Sequence, residues 1–101
     1  MRRAAAVDRN QPEIVAALRA VGCSVTPLHT VGGGVPDLLV GWQGDTFLLE
    51  VKDGAKSPSA RALTIHQIPW HDQWRGKPVA VVKTVREALE AIGIPFRGSI
   101  S

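Results

Sequence analysis

Residues 35–52 read VPDLLVGWQGDTFLLEVK, and the reading of this stretch decides the fold. Two apolar runs rich in branched residues, 35–42 and 46–52, flank Gln43, Gly44 and Asp45. Runs of this length on either side of a Gly-containing break read as the strands of a β-hairpin. Side chains alternate faces along a strand, so Glu50 and Lys52 share one face. The position of Asp37 depends on the turn. A two-residue turn at Gln43-Gly44 pairs Trp42 with Asp45 and sets Asp37 directly opposite Glu50, with Cβ atoms about 4.5–5.5 Å apart. A three-residue loop sets Asp37 against Val51 instead, with Glu50 and Lys52 flanking it diagonally.

In both registers two carboxylates and an ammonium gather among apolar neighbours such as Leu38, Val40, Leu49 and Val51. Carboxylates held together in such a setting repel each other and resist desolvation. A divalent cation and a nearby ammonium relieve that cost. Hard oxygen ligands suit Mg²⁺ or Mn²⁺, which bind through few carboxylates plus water and substrate phosphate. A metal so held polarises a phosphoryl oxygen and lowers the pKa of water, while Lys52 stabilises developing charge. Metal-assisted hydrolysis of a phosphodiester uses all three groups.

Outward from the hairpin, Gly32, Gly33 and Gly34 form a permissive turn with no Lys-Ser/Thr after it, so it is not a Walker loop. Upstream, 24–30 reads as a strand weakened by Pro27, which suits an edge or a bulge. Before it, Ile14, Val15, Leu18 and Val21 fall at helical spacing and predict a first helix over 10–21. Asn10 is a candidate cap with Glu13 three residues on, Pro12 is tolerated in a first turn, and Gly22 closes the helix. Downstream, 53–62 is polar and reads as an exposed loop carrying Lys56 and Arg61. Thr64-Ile-His-Gln67 has the capping-box pattern and opens a second helix to about Trp74, which Pro69 kinks or delays. A short buried strand over 78–83 and a last helix from Thr84 to about Gly93 follow. The order α, β, β, β, α, β, α gives a mixed sheet flanked by helices, in the α/β class.

The 101 residues fit a single domain spanning 1–101, with a loose arm at 1–7 and a tail at 94–101. Hydrophobic residues at 45% and charged residues at 21% speak against disorder outside the ends. The formal charge of +3 and pI of about 9.6 permit a polyanionic partner. If Glu13, Asp37 and Glu50 share one site, three of the nine acids are withdrawn and the rest of the surface is more basic. One cysteine, Cys23, excludes an internal disulfide and a Cys-rich zinc site, and points to a reducing cytoplasmic setting (a host cytoplasm if the source is viral). The N-terminus lacks an apolar signal region, and no run reaches the roughly 18 apolar residues that span a bilayer.

Pro36-Asp37, twelve intervening residues, then Glu50-Val51-Lys52 matches the PD-(D/E)xK nuclease pattern. The wider run from Gly33 to Gly41, with Glu13 upstream and Gln67 downstream, resembles the virus-type replication–repair nuclease (VRR-NUC) domain over roughly residues 8–90. That resemblance implies a restriction-endonuclease-like core. It implies that Asp37, Glu50 and the Val51 main-chain carbonyl ligate the metal, with Glu13 an accessory acid, Lys52 the catalytic lysine and Gln67 facing the site. Small stand-alone members of the family are similar to Holliday-junction resolvases and act as dimers. The expectation is therefore an Mg²⁺- or Mn²⁺-dependent DNA endonuclease on branched DNA such as four-way junctions, working as a homodimer. A C2 dimer presents two sites, and an exposed tail of Ile94, Pro95 and Phe96 favours association.

Each assignment has a plainer alternative. Glu13 equally serves as a first-turn acid on the helix dipole. Gln67 equally completes the Thr64 capping box. Lys56 and Arg61, with Gly33 and Gly34, are candidate DNA contacts, and a solvated loop explains the two cations as well. His29, His66 and His71 have no zinc spacing and suit structural roles, and Trp70 and Trp74, four apart, suit a buried helix face. Alternative functions are the same chemistry on flaps, nicked duplex or single strands, a non-catalytic nucleic-acid-binding module, and an interaction domain whose triad is a surface ion network.

Overall fold

The computed structural model describes residues 7–95. The elements are α1 (Gln11–Ala20), β1 (Ser24–Pro27), β2 (Leu38–Trp42), β3 (Asp45–Val51), α2 (Pro58–Arg61), α3 (Gln67–Gln73), β4 (Ala80–Val82) and α4 (Val85–Ala91). Most of the expected arm and the end of the tail, including Phe96, lie outside the described residues.

The four strands form one sheet in the order β1-β2-β3-β4, antiparallel across the first two junctions and parallel between β3 and β4. It is a mixed sheet flanked by helices, as expected. The hairpin turn has two residues. Gln43 (φ 48°) and Gly44 (φ 84°) both adopt the positive φ that a type I′ turn needs, and its twist matches that of the strands. Trp42 therefore pairs with Asp45, and the register runs to Leu38 opposite Leu49.

One face of the sheet carries the core. Val25, Leu38, Val40, Leu49, Val51 and Val82 pack against Ile14, Val15 and Leu18 of α1 and Ala88, Leu89 and Ile92 at α4. Burying each large aliphatic here contributes roughly 1.5–3 kcal/mol. Cys23 is buried in this cluster.

Several boundaries differ from expectation for local reasons. Asn10 does not cap α1; its side-chain amide donates to the carbonyls of Lys52 (3.0 Å) and Lys83 (2.9 Å), tying the helix start to the ends of β3 and β4. The buried stripe of α1 runs Gln11, Ile14, Val15, Leu18, and Val21 is exposed at the C-cap. β1 ends at Pro27, which has no N–H for the ladder. The loop after β3 holds one helical turn, α2, capped where the Ser57 hydroxyl accepts from the Ala60 N–H. Regular helix α3 begins at Gln67, so Pro69 falls in its first turn, where no helical bond is lost. α4 starts as expected, with the Thr84 hydroxyl accepting from the Glu87 N–H at 3.0 Å. Ile94 is not an exposed tail residue; it packs against the core, and its N–H donates to the Leu89 carbonyl.

Candidate active site

The other face of β3 carries Glu50, and the strand register, continued one step beyond Leu38–Leu49, brings Asp37 across from it. Asp37 is held there by its own chemistry. Its Oδ2 accepts from the Val51 N–H at 2.8 Å. Glu50, Lys52 and Asp37 are 1%, 7% and 9% exposed. Three ionisable groups so deeply placed require compensating contacts.

Gln67 supplies most of them. Its Nε2 donates to Glu50 Oε2 at 2.8 Å, and its Oε1 accepts from Lys52 Nζ at 2.8 Å. The same Oε1 also accepts from the Thr64 N–H at 2.9 Å, while the Gln67 N–H donates to Thr64 Oγ1 at 3.2 Å. The capping box and the site contact are therefore both real, and one side chain makes both. Pro69 does not displace it. Lys52 Nζ stands 3.6 Å from Glu50 Oε2.

The charges remain out of balance at Glu50. Burial first, and then the Asp37 carboxylate, push its pKa from 4.5 up to about 8, against the smaller opposing pull of Lys52. Glu50 Oε1 is buried and has no hydrogen-bond partner among the described residues. An orphaned carboxylate oxygen beside a second carboxylate is the condition a divalent cation relieves. The donor set fits Mg²⁺ or Mn²⁺. Among the described residues no cluster of three or more His, Cys, Asp or Glu side chains gathers. Two carboxylates leave the remaining positions to a main-chain carbonyl, water and phosphate, as these ions prefer.

The site opens into a cleft of ≈ 370 Å³ whose lining includes Asp37, Glu50, Val51, Lys52, Gln67 and the Gly32–Gly34 turn. The two candidate contact glycines differ. A Cβ at Gly34 (φ +87°) would meet the His66 carbonyl oxygen at 2.1 Å, so this glycine lets the turn press on the entry to α3. Gly33 (φ +68°) has nothing within 4 Å of that position, which leaves room for a phosphate backbone.

Other expected residues lie elsewhere. Glu13 is exposed and does not line the cleft; it shares a solvent stripe with Ala16 and Ala20. Helical phase explains this, because Gln11 takes the inward position below Ile14 and Val15. Lys56 is paired with Asp8 at 3.2 Å, and neither it nor Arg61 lines the cleft. Arg61 lines a neighbouring recess with Lys52 and Lys83. Trp70 and Trp74 are not a buried helix face. They stack on each other with ring centroids 5.0 Å apart, on a helix with no buried residue.

The histidines are closer to the chemistry than their spacing implies. His29 and His66 line the cleft, as does Asp8. His71 Nε2 stands 3.9 Å from Glu50 Oε1. Burial, and then the Lys52 ammonium, hold His71 below the ordinary imidazole range, so near neutral pH this contact is not an ion pair. The signal was present in the sequence. His71 follows Gln67 by four residues, one helical turn on the same face.

Comparison with solved structures finds a chain described as a VRR_NUC domain. It superposes with a TM-score of 0.62 at 31% sequence identity, covering 83% of this chain and 90% of that chain. No family model matches the sequence, and no curated protein does.

Proposed function

This chain belongs to the VRR_NUC family, of PD-(D/E)xK nuclease type, and on that premise we propose that it is a divalent-metal-dependent endonuclease that hydrolyses DNA phosphodiesters. The observation that carries the reading is the linked set Asp37, Glu50, Gln67 and Lys52 at the floor of an open cleft. A surface ion network is exposed and loosely paired. Here the charged groups are buried, bridged by an amide and left one partner short.

Asp37 Oδ1, Glu50 and the Val51 carbonyl would hold Mg²⁺ or Mn²⁺, which supplies a Lewis acid at the phosphoryl oxygen and an activated water. The residues of the chain do the rest. The Val51 N–H fixes the Asp37 carboxylate through one of its oxygens. Gln67 bridges Glu50 and Lys52, so the ammonium stays beside the carboxylate without a tight ion pair. Lys52 then has charge to offer the phosphate as negative charge develops. The Gly33 turn gives the strand a close approach.

Branched DNA is the proposed substrate and a homodimer the proposed state, because two sites related by C2 symmetry suit paired nicks across a junction. The test incubates the full chain with labelled four-way junction, flap, duplex and single-stranded DNA in Mg²⁺, Mn²⁺ or EDTA. Cutting is expected with either metal and not with EDTA. Lys52→Ala and Asp37→Ala are each expected to lower the rate roughly 10²–10³-fold or more. Cutting that persists in EDTA or in Lys52→Ala sinks the mechanism. Uniform cutting of duplex overturns the branched substrate alone.

A further inference from the structure

Two buried polar atoms at the site face each other without a partner. Glu50 Oε1 and His71 Nε2 are both buried, both lack a hydrogen bond among the described residues, and stand 3.9 Å apart. That gap exceeds a hydrogen bond by about 1 Å. A buried polar atom left unsatisfied is costly, so closing this one contact satisfies His71 Nε2 and one lone pair of Oε1, and leaves the second lone pair of that oxygen for a cation. The other Glu50 oxygen, Oε2, already accepts from Gln67 at 2.8 Å. Gln67 and His71 are one turn apart on α3, so a single helix face meets both oxygens.

We propose that His71 is a positioning residue for the Glu50 carboxylate: its Nε2–H donates to Oε1 while Gln67 holds Oε2, so that α3 sets the plane of a metal-ligating group from behind. The inference rests on the metal-dependent reading above. His71 does not line the cleft, so it acts through Glu50 and not on substrate. Trp70 braces the imidazole edge-on, with centroids 6.5 Å apart and planes at 78°. Toward an ionised Glu50, the form that holds a cation, the proton must sit on Nε2, because a ring lone pair facing a carboxylate oxygen is repulsive. Partners of this kind orient a metal ligand, and their loss typically weakens metal binding about 10–100-fold.

The experiment titrates Mn²⁺ into the full chain without DNA, comparing wild type, His71→Phe and His71→Gln. Phe keeps a ring and removes the donor; Gln places an amide nitrogen near the position of Nε2. His71→Phe is expected to weaken Mn²⁺ binding roughly 10–100-fold with the metal-free melting temperature unchanged or raised, and His71→Gln to recover most of the affinity. A long-range ¹H–¹⁵N spectrum at pH 9, with and without Mg²⁺, is expected to show the Nε2–H tautomer of His71. Wild-type affinity in His71→Phe, or an Nδ1–H tautomer, overturns the proposal. Wild type that binds no Mn²⁺ sinks the functional reading instead, and the tautomer still decides the contact.

Discussion

The two faces of the sheet are built by different means. On one, α1 and α4 press an apolar stripe onto the strands, and Ile14, Leu18, Leu38, Val40 and Leu49 are almost fully enclosed. On the other, α3 has no buried residue and is joined to β3 by the hydrogen bonds of one glutamine. The first face carries the stability of the domain. The second carries charge that a folded protein would avoid if stability were the sole requirement. Its helix is thus free to respond to whatever fills the cleft.

The widest contrast is between truncations on the two faces. Leu18→Ala or Leu49→Ala removes a fully enclosed side chain, with an expected loss of about 3–5 kcal/mol in denaturant unfolding. Gln67→Ala is expected to cost only about 1–2 kcal/mol while cutting falls at least tenfold, because Glu50 and Lys52 lose their common partner. Hydrogen exchange gives the same comparison without mutation. Amides of α3 should exchange far faster than those of α1 and α4, and Mg²⁺ should slow α3 alone. Equal protection on both faces would break the contrast.

Next in size is the response to pH. The Glu50 carboxyl has a folded pKa of about 8 against 4.5 for the free group. A raised carboxyl pKa means the folded state binds the proton more tightly than the unfolded state does. Its contribution is complete below 4.5 and is lost as pH climbs through 8. The metal-free protein should therefore melt lower at pH 9 than at pH 6, by an amount on the order of a few kcal/mol, each worth roughly 4–8 °C. Glu50→Gln should flatten that slope and raise the melting temperature at pH 9. Mg²⁺ should offset the loss in wild type and not in the variant. A slope unchanged by Glu50→Gln would remove Glu50 as its source.

A smaller effect separates the two glycines of the cleft. Alanine at Gly33 meets only the backbone cost of positive φ, about 1 kcal/mol. Alanine at Gly34 adds a collision with the His66 carbonyl, which is main chain and cannot swing aside. Gly34→Ala should cost about 1–2 kcal/mol more than Gly33→Ala and should displace Gln67, so cutting falls with it. Identical melting temperatures for the two variants would remove the turn from the support of α3.

The hairpin and its site were legible in the sequence because the cause is local. The sequence leaves a two- or a three-residue turn open; Gln43 and Gly44, both at positive φ, make it two, the turn sets the register, and the register continued one step places Asp37 across from Glu50. The rest depends on partners far apart in the chain. Asn10 reads as a cap until the carbonyls of Lys52 and Lys83 are brought to it. Lys56 reads as free for phosphate until Asp8 meets it. Ile94 reads as an exposed tail until the core reaches it. His71 sits one turn after Gln67, a local trace that gains meaning only when the unpaired oxygen of Glu50 is brought to it. Polar pairs across long separations leave no periodic trace, and those are the contacts from which this site is made.

The smallest expected effect tests where the site ends. Glu13 is an expected accessory acid, yet its helix phase points it to solvent with Ala16 and Ala20. It is not among the residues that line the cleft, and α1 meets the sheet through Gln11, Ile14, Val15 and Leu18. Its remaining work is to place a negative charge in the first turn of α1, which stabilises by about 0.3–1 kcal/mol. Glu13→Gln should lower stability by no more than that and leave Mn²⁺ affinity and cutting rate within about twofold of wild type. Its direct opposite is the equally small change Asp37→Asn, which keeps the shape and the Val51 contact but removes the charge; that variant should lose metal binding. If Glu13→Gln also loses it, the acidic site extends onto α1, and the division of the sheet into a stable face and a reactive face no longer holds.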